Sequence, residues 1–304
     1  MPATLSMSFY RLEQPSAVTV TPARLLLLGE ELWLKTAGLT GRLAPETASS
    51  LSVALIQLEP DCPKTPAHLP QIEFSPCVIN RESDYRHRTV EALRDYCRSL
   101  LNTVEADPSA SCPTAPRQKL DELGLRTNLW SLNRATTRAI VEYAKLSRAD
   151  SSLAQPSTAH RELQFLQLLL SACIDEVSLT LDAFLPAVLR TRLFKAFESN
   201  ERILDAKVHR GVPPALLCLI VQGSMPQHEF EMFVGLNSES SKIEVVKLKA
   251  LGILAVSKAK RGWVEPALPG WLAACLLPQL EELLLTSVDG SKRKITPNAG
   301  HSNP

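Results

Sequence analysis

The stretch "STAHRELQFLQLLLSACIDEVSLTLDAFL", residues 157–185, holds a helical period longer than any other part of the chain. Leu163, Leu166, Leu170, Cys173, Ile174 and Val177 recur mostly at spacings of three and four and form a wide apolar stripe. A helix with so broad an apolar face needs other elements around it. The spacing therefore predicts a central helix, capped by Ser157 or Thr158, inside a body of helices. Its apolar centre, "LQFLQLLLSACI", is short and polar at its flanks, which favours a protein core over a bilayer.

The enclosing helices are legible on either side. Thr21 and Pro22 open "TPARLLLLGEELWLKTAGL" as N-cap and first helical residue. Further helices are predicted in "APETASSLSVALIQLE", "SDYRHRTVEALRDYCRSLLNTVE", "QKLDELGL", "SLNRATTRAIVEYAKLSRAD" and "AVLRTRLFKAFESNERIL". Proline supplies the breaks, with 22 prolines against 12 glycines. Loops are expected near residues 60–76 and across 106–118, where prolines and small polar residues cluster. The fold class is mainly α: an N-terminal arm (1–20), a helical body (21–205), a second module (206–285) and a disordered tail (286–304).

The second module changes pattern. "PPALLCLIVQG" and "MPQHEFEMFVG" are short helices, and "SKIEVVKLKALGIL" is a third. An apolar run "ILAVS", a basic turn "KAKRG" and a second run "WVEPAL" follow as a hairpin. Three short helices and a hairpin in this order make a winged helix-turn-helix. Packing of its second and third helices is expected to bury Phe230, Phe233 and Val234 against Ile243, Val246, Leu248 or Leu251. Gly252 is expected to let the chain leave the third helix tightly. The DNA-contact candidates are Ser240, Ser241, Lys242, Lys247 and Lys249 on the third helix, and Lys258, Lys260 and Arg261 at the wing tip, with Ser238 beside them, and the six cations are expected to converge on one basic face. The third helix has no Arg, Asn or Gln, so phosphate contact is expected to outweigh base reading. With 33 Lys and Arg against 32 Asp and Glu, the net charge is +1, and any nucleic-acid contact must be local. The expected partner is DNA through residues 238–262, or another protein.

The 7 cysteines form no C-x-x-C pair and their count is odd. Reduced thiols and a cytoplasmic location are the corresponding expectation, together with the lack of a leader-like N-terminus. His68, His87, His160, His209 and His228 are scattered without a second ligand at metal spacing, so no metal is expected. No phosphate-binding glycine loop or nucleophile elbow occurs, and no cofactor is expected.

Four stretches together carry a resemblance. "AGLTGRLAPETASSLSVAL", "LGLRTNLWSLNRATTRAIVEYAKLSRAD", "LQFLQLLLSACIDEVSLTLDAF" and "GSMPQHEFEMFVGLN…VVKLKALGILAVSKAKRGWVEPALP…LLPQL" occur in the order of corresponding segments in Fic-family proteins that end in a winged helix. The family's members typically transfer AMP, or another phosphate-containing group, to a hydroxyl. Their H-P-F-x-(D/E)-G-N-G-R signature supplies a general base, a phosphate nest, a cation ligand and an arginine. This chain lacks that signature. At the corresponding place stands "TVEADPSASCPTAPR", with Glu105, Asp107 and Arg117 but no His, Gly or Asn. No catalytic residue is assigned on that basis. The resemblance implies a degenerate Fic-like body kept for regulation or binding. The alternative is a nucleotidyl transferase using ATP, with Glu105, Asp107 or Arg117 in a rearranged site.

Overall fold

The computed structural model describes residues 21–58, 85–106, 114–149 and 158–277. The arm, the first proline-rich loop and the tail beyond residue 277 lie outside them. The chain is mainly helical, with three short strands among the described residues.

Helix α1 (Pro22–Arg42) begins as the sequence predicts: the Thr21 hydroxyl oxygen accepts from the Arg24 N–H at 3.3 Å, and Pro22 follows. It is followed by α2 (Pro45–Leu58), α3 (Tyr85–Ala106), α4 (Thr114–Glu122) and α5 (Leu132–Ala149). Helix α6 (Thr158–Ala183) is the centre of the body and packs against α1 and α5. Leu166, Leu170, Cys173, Ile174 and Val177 are buried there, with Leu163 partly buried at the edge of the same core. Within α6, His160–Ala183 is long and apolar enough to cross a membrane by length and composition, so the short reading of this run is corrected. Its most apolar window is 56% buried against the other helices.

Two further local expectations need correction. Residues 114–118 are helical, not loop, because α4 starts four residues before "QKLDELGL". Pro116 falls in its first turn, where the backbone N–H has no intrahelical acceptor to lose. The run after Pro186 divides into α7 (Pro186–Ser199) and α8 (Glu201–Asp205). Asn200 makes the break, its side-chain oxygen accepting from the Arg202 N–H at 3.1 Å.

The remaining elements are α9 (Val212–Gln222), β1 (Met225–Pro226), α10 (Gln227–Val234), α11 (Ser238–Ala250), β2 (Leu254–Val256), β3 (Trp263–Pro266) and α12 (Gly270–Leu276). The strands form one antiparallel sheet in the order β1-β3-β2, with Met225 opposite Val264 and Ala255 opposite Glu265. Gly252 ends α11 with φ +71°. The Ile253 N–H donates to the Leu248 carbonyl at 2.9 Å and the Gly252 N–H to that of Lys249 at 3.1 Å. This pair of bonds satisfies the last carbonyls of the helix and tucks Ile253 over Leu248, both fully buried.

The C-terminal elements share their core with the body. Helix α7 packs on α9 and α12, and α2 packs on β3 and α12. Thr47 Oγ1 donates to the Ile220 carbonyl at 2.7 Å, Ser224 Oγ to Glu46 Oε1 at 3.2 Å, and the Leu268 N–H to Ser50 Oγ at 2.6 Å. On its other side α2 meets the body, where Asn128 Nδ2 donates to Ser52 Oγ at 3.1 Å. Residues from both sides of position 205 therefore belong to one continuous hydrophobic cluster.

Candidate functional site

Helix α11 buries Ser241, Glu244, Val245 and Leu248, which are three or four positions apart and define its inward face. The opposite face carries Glu239, Ile243, Val246 and Ala250, all exposed. Ile243 is 56% exposed and Val246 66%, so the expectation that they pack against α10 is overturned. Helix α11 packs on α10 with Val245 and Leu248 buried instead, one register step round the helix, and the buried apolar residues of α10 are Phe230 and Val234. Phe233, expected inside, is half-exposed because the eight residues of α10 bury only the Phe230 and Val234 positions.

Polar partners stabilise this register. Ser241 Oγ lies 3.1 Å from the Glu231 carbonyl and 3.3 Å from that of Leu236, and donates into the α10–α11 turn. The buried Glu244 carboxylate accepts from the His209 N–H at 2.8 Å and from Lys247 Nζ at 2.7 Å. Ser241 is thus a buried structural hydroxyl and cannot meet a phosphate. Ser240 is half-buried near the start of the helix, its N–H donating to the Asn237 side chain at 2.8 Å.

The lysines do not share one face. Positions two apart on an α-helix are separated by about 160° around its axis, which sets Lys247 and Lys249 on opposite flanks. Lys247 Nζ also donates to the Lys207 carbonyl at 2.7 Å and so faces the segment before α9. Lys249 Nζ donates to Gln227 Oε1 at 3.0 Å. Gln227 in turn donates its N–H to the Gly262 carbonyl at 2.9 Å, which brings the Lys249 flank to the base of the β2–β3 turn. Exposed Lys242 lies on that same flank. Lys258, Lys260 and Arg261 are exposed on the turn, where Lys260 Nζ sits 4.2 Å from the centroid of the Trp263 ring. The turn is shaped by Ser257, whose Oγ accepts from the Lys260 N–H at 3.1 Å. The site is an apolar stripe with a cationic rim on one side.

The residues considered for a rearranged transferase site are placed differently. Arg117 is spent on Thr127, donating from Nε to Oγ1 at 3.2 Å and from Nη2 to the carbonyl at 3.0 Å. Asp107 and the Glu105 side chain lie outside the described residues. A cleft of about 230 Å³ between α3 and α4 is lined by Arg88, Glu91, Asp95, Lys119 and Glu122. With three acids against two bases, its walls are poorly matched to a triphosphate. Among the described residues no group of three His, Cys, Asp or Glu could hold a metal ion.

An ionic network centred on buried Glu176 ties α5 to α6. Arg134 Nε donates to Glu176 Oε2 at 3.3 Å, and Arg138 donates to Glu176 Oε1 at 3.3 Å and to Asp175 Oδ2 at 2.9 Å. Burial pushes the Glu176 carboxyl above its ordinary value, and the two guanidinium groups oppose that shift without cancelling it. Nearby, burial pushes the thiols of Cys97 and Cys173 up, and both are free. Sequence reasoning missed this network, although Arg134 and Arg138 are four apart and Asp175 and Glu176 are adjacent. Arg94 and Glu162 form a second buried pair between α3 and α6. Comparison of the chain with protein-family models, with curated proteins and with solved structures returns no match.

Proposed function

We propose that the chain is a non-catalytic binding or regulatory protein, a Fic-like helical body carrying a winged helix, which acts through the surface of residues 238–262. The order helix, strand, helix, helix and hairpin, with the sheet order β1-β3-β2, supports the winged-helix reading. The two stretches that resemble the middle of Fic proteins lie against each other as α5 and α6, joined by the Arg134, Arg138, Asp175 and Glu176 network. Free thiols at Cys97, Cys173, Cys218 and Cys275 suit a reducing, cytoplasmic setting.

One observation carries the choice of partner: the outward face of α11 presents Ile243, Val246 and Ala250 where a DNA-reading helix would present hydrogen-bonding side chains. The favoured partner is therefore a protein. DNA is the second reading, favoured by the exposed wing cations Lys258, Lys260 and Arg261. AMP transfer is disfavoured because Arg117 is committed to Thr127 and the α3–α4 cleft is net acidic. The test incubates the purified chain with α-labelled ATP, magnesium and lysate, beside a low-salt DNA titration. Neither label transfer nor tight DNA binding is expected. Transfer lost in Arg117→Ala would promote the enzyme, and salt-sensitive DNA binding lost in Lys260→Ala/Arg261→Ala would promote the DNA reading.

A further inference from the structure

We infer that the stripe of Ile243, Val246 and Ala250, with its rim of Lys242 and the turn cations, receives an acidic amphipathic helix from a partner protein. The inference rests on the binding-protein reading above and adds the chemistry of the partner.

Three observations lead to it. The stripe positions follow each other by three and four, so they form a straight ridge that an apolar helix face can lie along. The two largest members are exposed although the same helix had Val245 and Leu248 available for its core contact. The cations are arranged on one side: Lys242 and Lys249 share a flank, and the Lys249–Gln227–Gly262 chain of hydrogen bonds sets Lys260 and Arg261 beside it. Lys249 is already bonded to Gln227, which leaves Lys242, Lys258, Lys260 and Arg261 facing solvent. On the opposite flank the cation Lys247 is held by buried Glu244. A partner that buries its apolar residues on the ridge would bring its solvent-facing edge against the exposed cations, and carboxylates at that edge complete the charge match. One acid, Glu239, lies on the ridge itself, in the first turn of α11, where the positive helix end offsets its charge. It favours an occupant whose acids lie along the Lys242 and turn side and not over the first turn.

The test uses the full chain and three fluorescent probes. The first is a helical peptide of about 18 residues with one Leu stripe and Glu flanks. The second replaces each Glu with Lys, and the third is a DNA duplex of about 20 base pairs. Saturable binding of the acidic peptide is expected. It should weaken roughly tenfold in Val246→Asp and again in Lys260→Glu/Arg261→Glu, and fall in high salt. All three residues are exposed, so unchanged circular dichroism and urea unfolding verify that the variants are folded. The inference is overturned by no saturable binding of the acidic peptide, by equal binding of the basic one, or by an unaffected Val246→Asp variant. If only the duplex binds, this inference falls while the binding-protein reading stands with DNA as partner. Transfer of labelled AMP would instead overturn that underlying reading.

Discussion

Replacing Gly223 by Ala tests how firmly the N-terminal helices are joined to the C-terminal elements. Gly223 follows α9 with φ +85° and ψ −42°, a backbone region that an L side chain rarely occupies. That strain alone costs about 1–3 kcal/mol. A Cβ there would also lie 2.6 Å from Ala44 Cβ and closer still to the Glu46 carboxylate. Something must shift, and the start of α2 is what yields. Such a shift stretches the Thr47–Ile220 and Ser224–Glu46 hydrogen bonds, of which the first is buried. Each weakened bond adds roughly 0.5–1.5 kcal/mol. The sum is about 2–6 kcal/mol, measured as a lower urea midpoint with an unchanged slope. In an Ala44→Gly background part of the cost should vanish, giving a coupling of about 1 kcal/mol in a double-mutant cycle. Gly38→Ala is the control: it lies inside α1 with open space around it, and should stabilise by about 0.5–1 kcal/mol. A neutral Gly223→Ala, or equal costs in both backgrounds, would refute the docking of α2 on this corner.

Leu170→Ala in the centre of α6 should cost about 2–5 kcal/mol by urea unfolding, whereas exposed Leu179→Ala on the same helix should change stability by less than about 1 kcal/mol; equal effects would contradict the placement of the helix. Burial raises the folded-state Glu176 carboxyl above its ordinary 4.5, so the native state binds more protons across the window from that value upward. Wild-type stability should therefore fall relative to Glu176→Gln as pH rises through that window, and a relative gain would contradict the burial argument. A thiol reagent followed by peptide mapping should label half-buried Cys218 and Cys275 under native conditions, and Cys97 and Cys173 only after denaturation.

The legible parts of the fold are those with a strong local signal. The α6 stripe, the Thr21 cap and the Gly252 exit could each be read because spacing or backbone chemistry permits few alternatives. Helix α11 was less determined. Its apolar residues at 243, 245, 246, 248 and 251 allow two registers. The observed register is stabilised by Ser241 and Glu244, whose partners at Glu231, Leu236 and His209 come from elsewhere in the chain. Periodicity favours hiding Ile243 and Val246 and exposing Glu244, and here the opposite holds. The divergence of Lys247 and Lys249 was available from spacing alone, since residues two positions apart on a helix cannot face the same way. The docking of α2 on α9, β3 and α12 carries no local signal: Thr47 meets Ile220 across 173 residues of sequence.

The central claim is that the exposed face of α11 engages a protein, and photocrosslinking at Val246 measures it most directly. The full chain, carrying p-benzoylphenylalanine in place of Val246, would be irradiated in cells beside a control with the same group in place of exposed Arg24 on α1. The account predicts discrete adducts at position 246 that protease removes and nuclease does not, absent from the control and lost when Lys260 and Arg261 are reversed in charge. No adduct at position 246, or adducts sensitive only to nuclease, would contradict it.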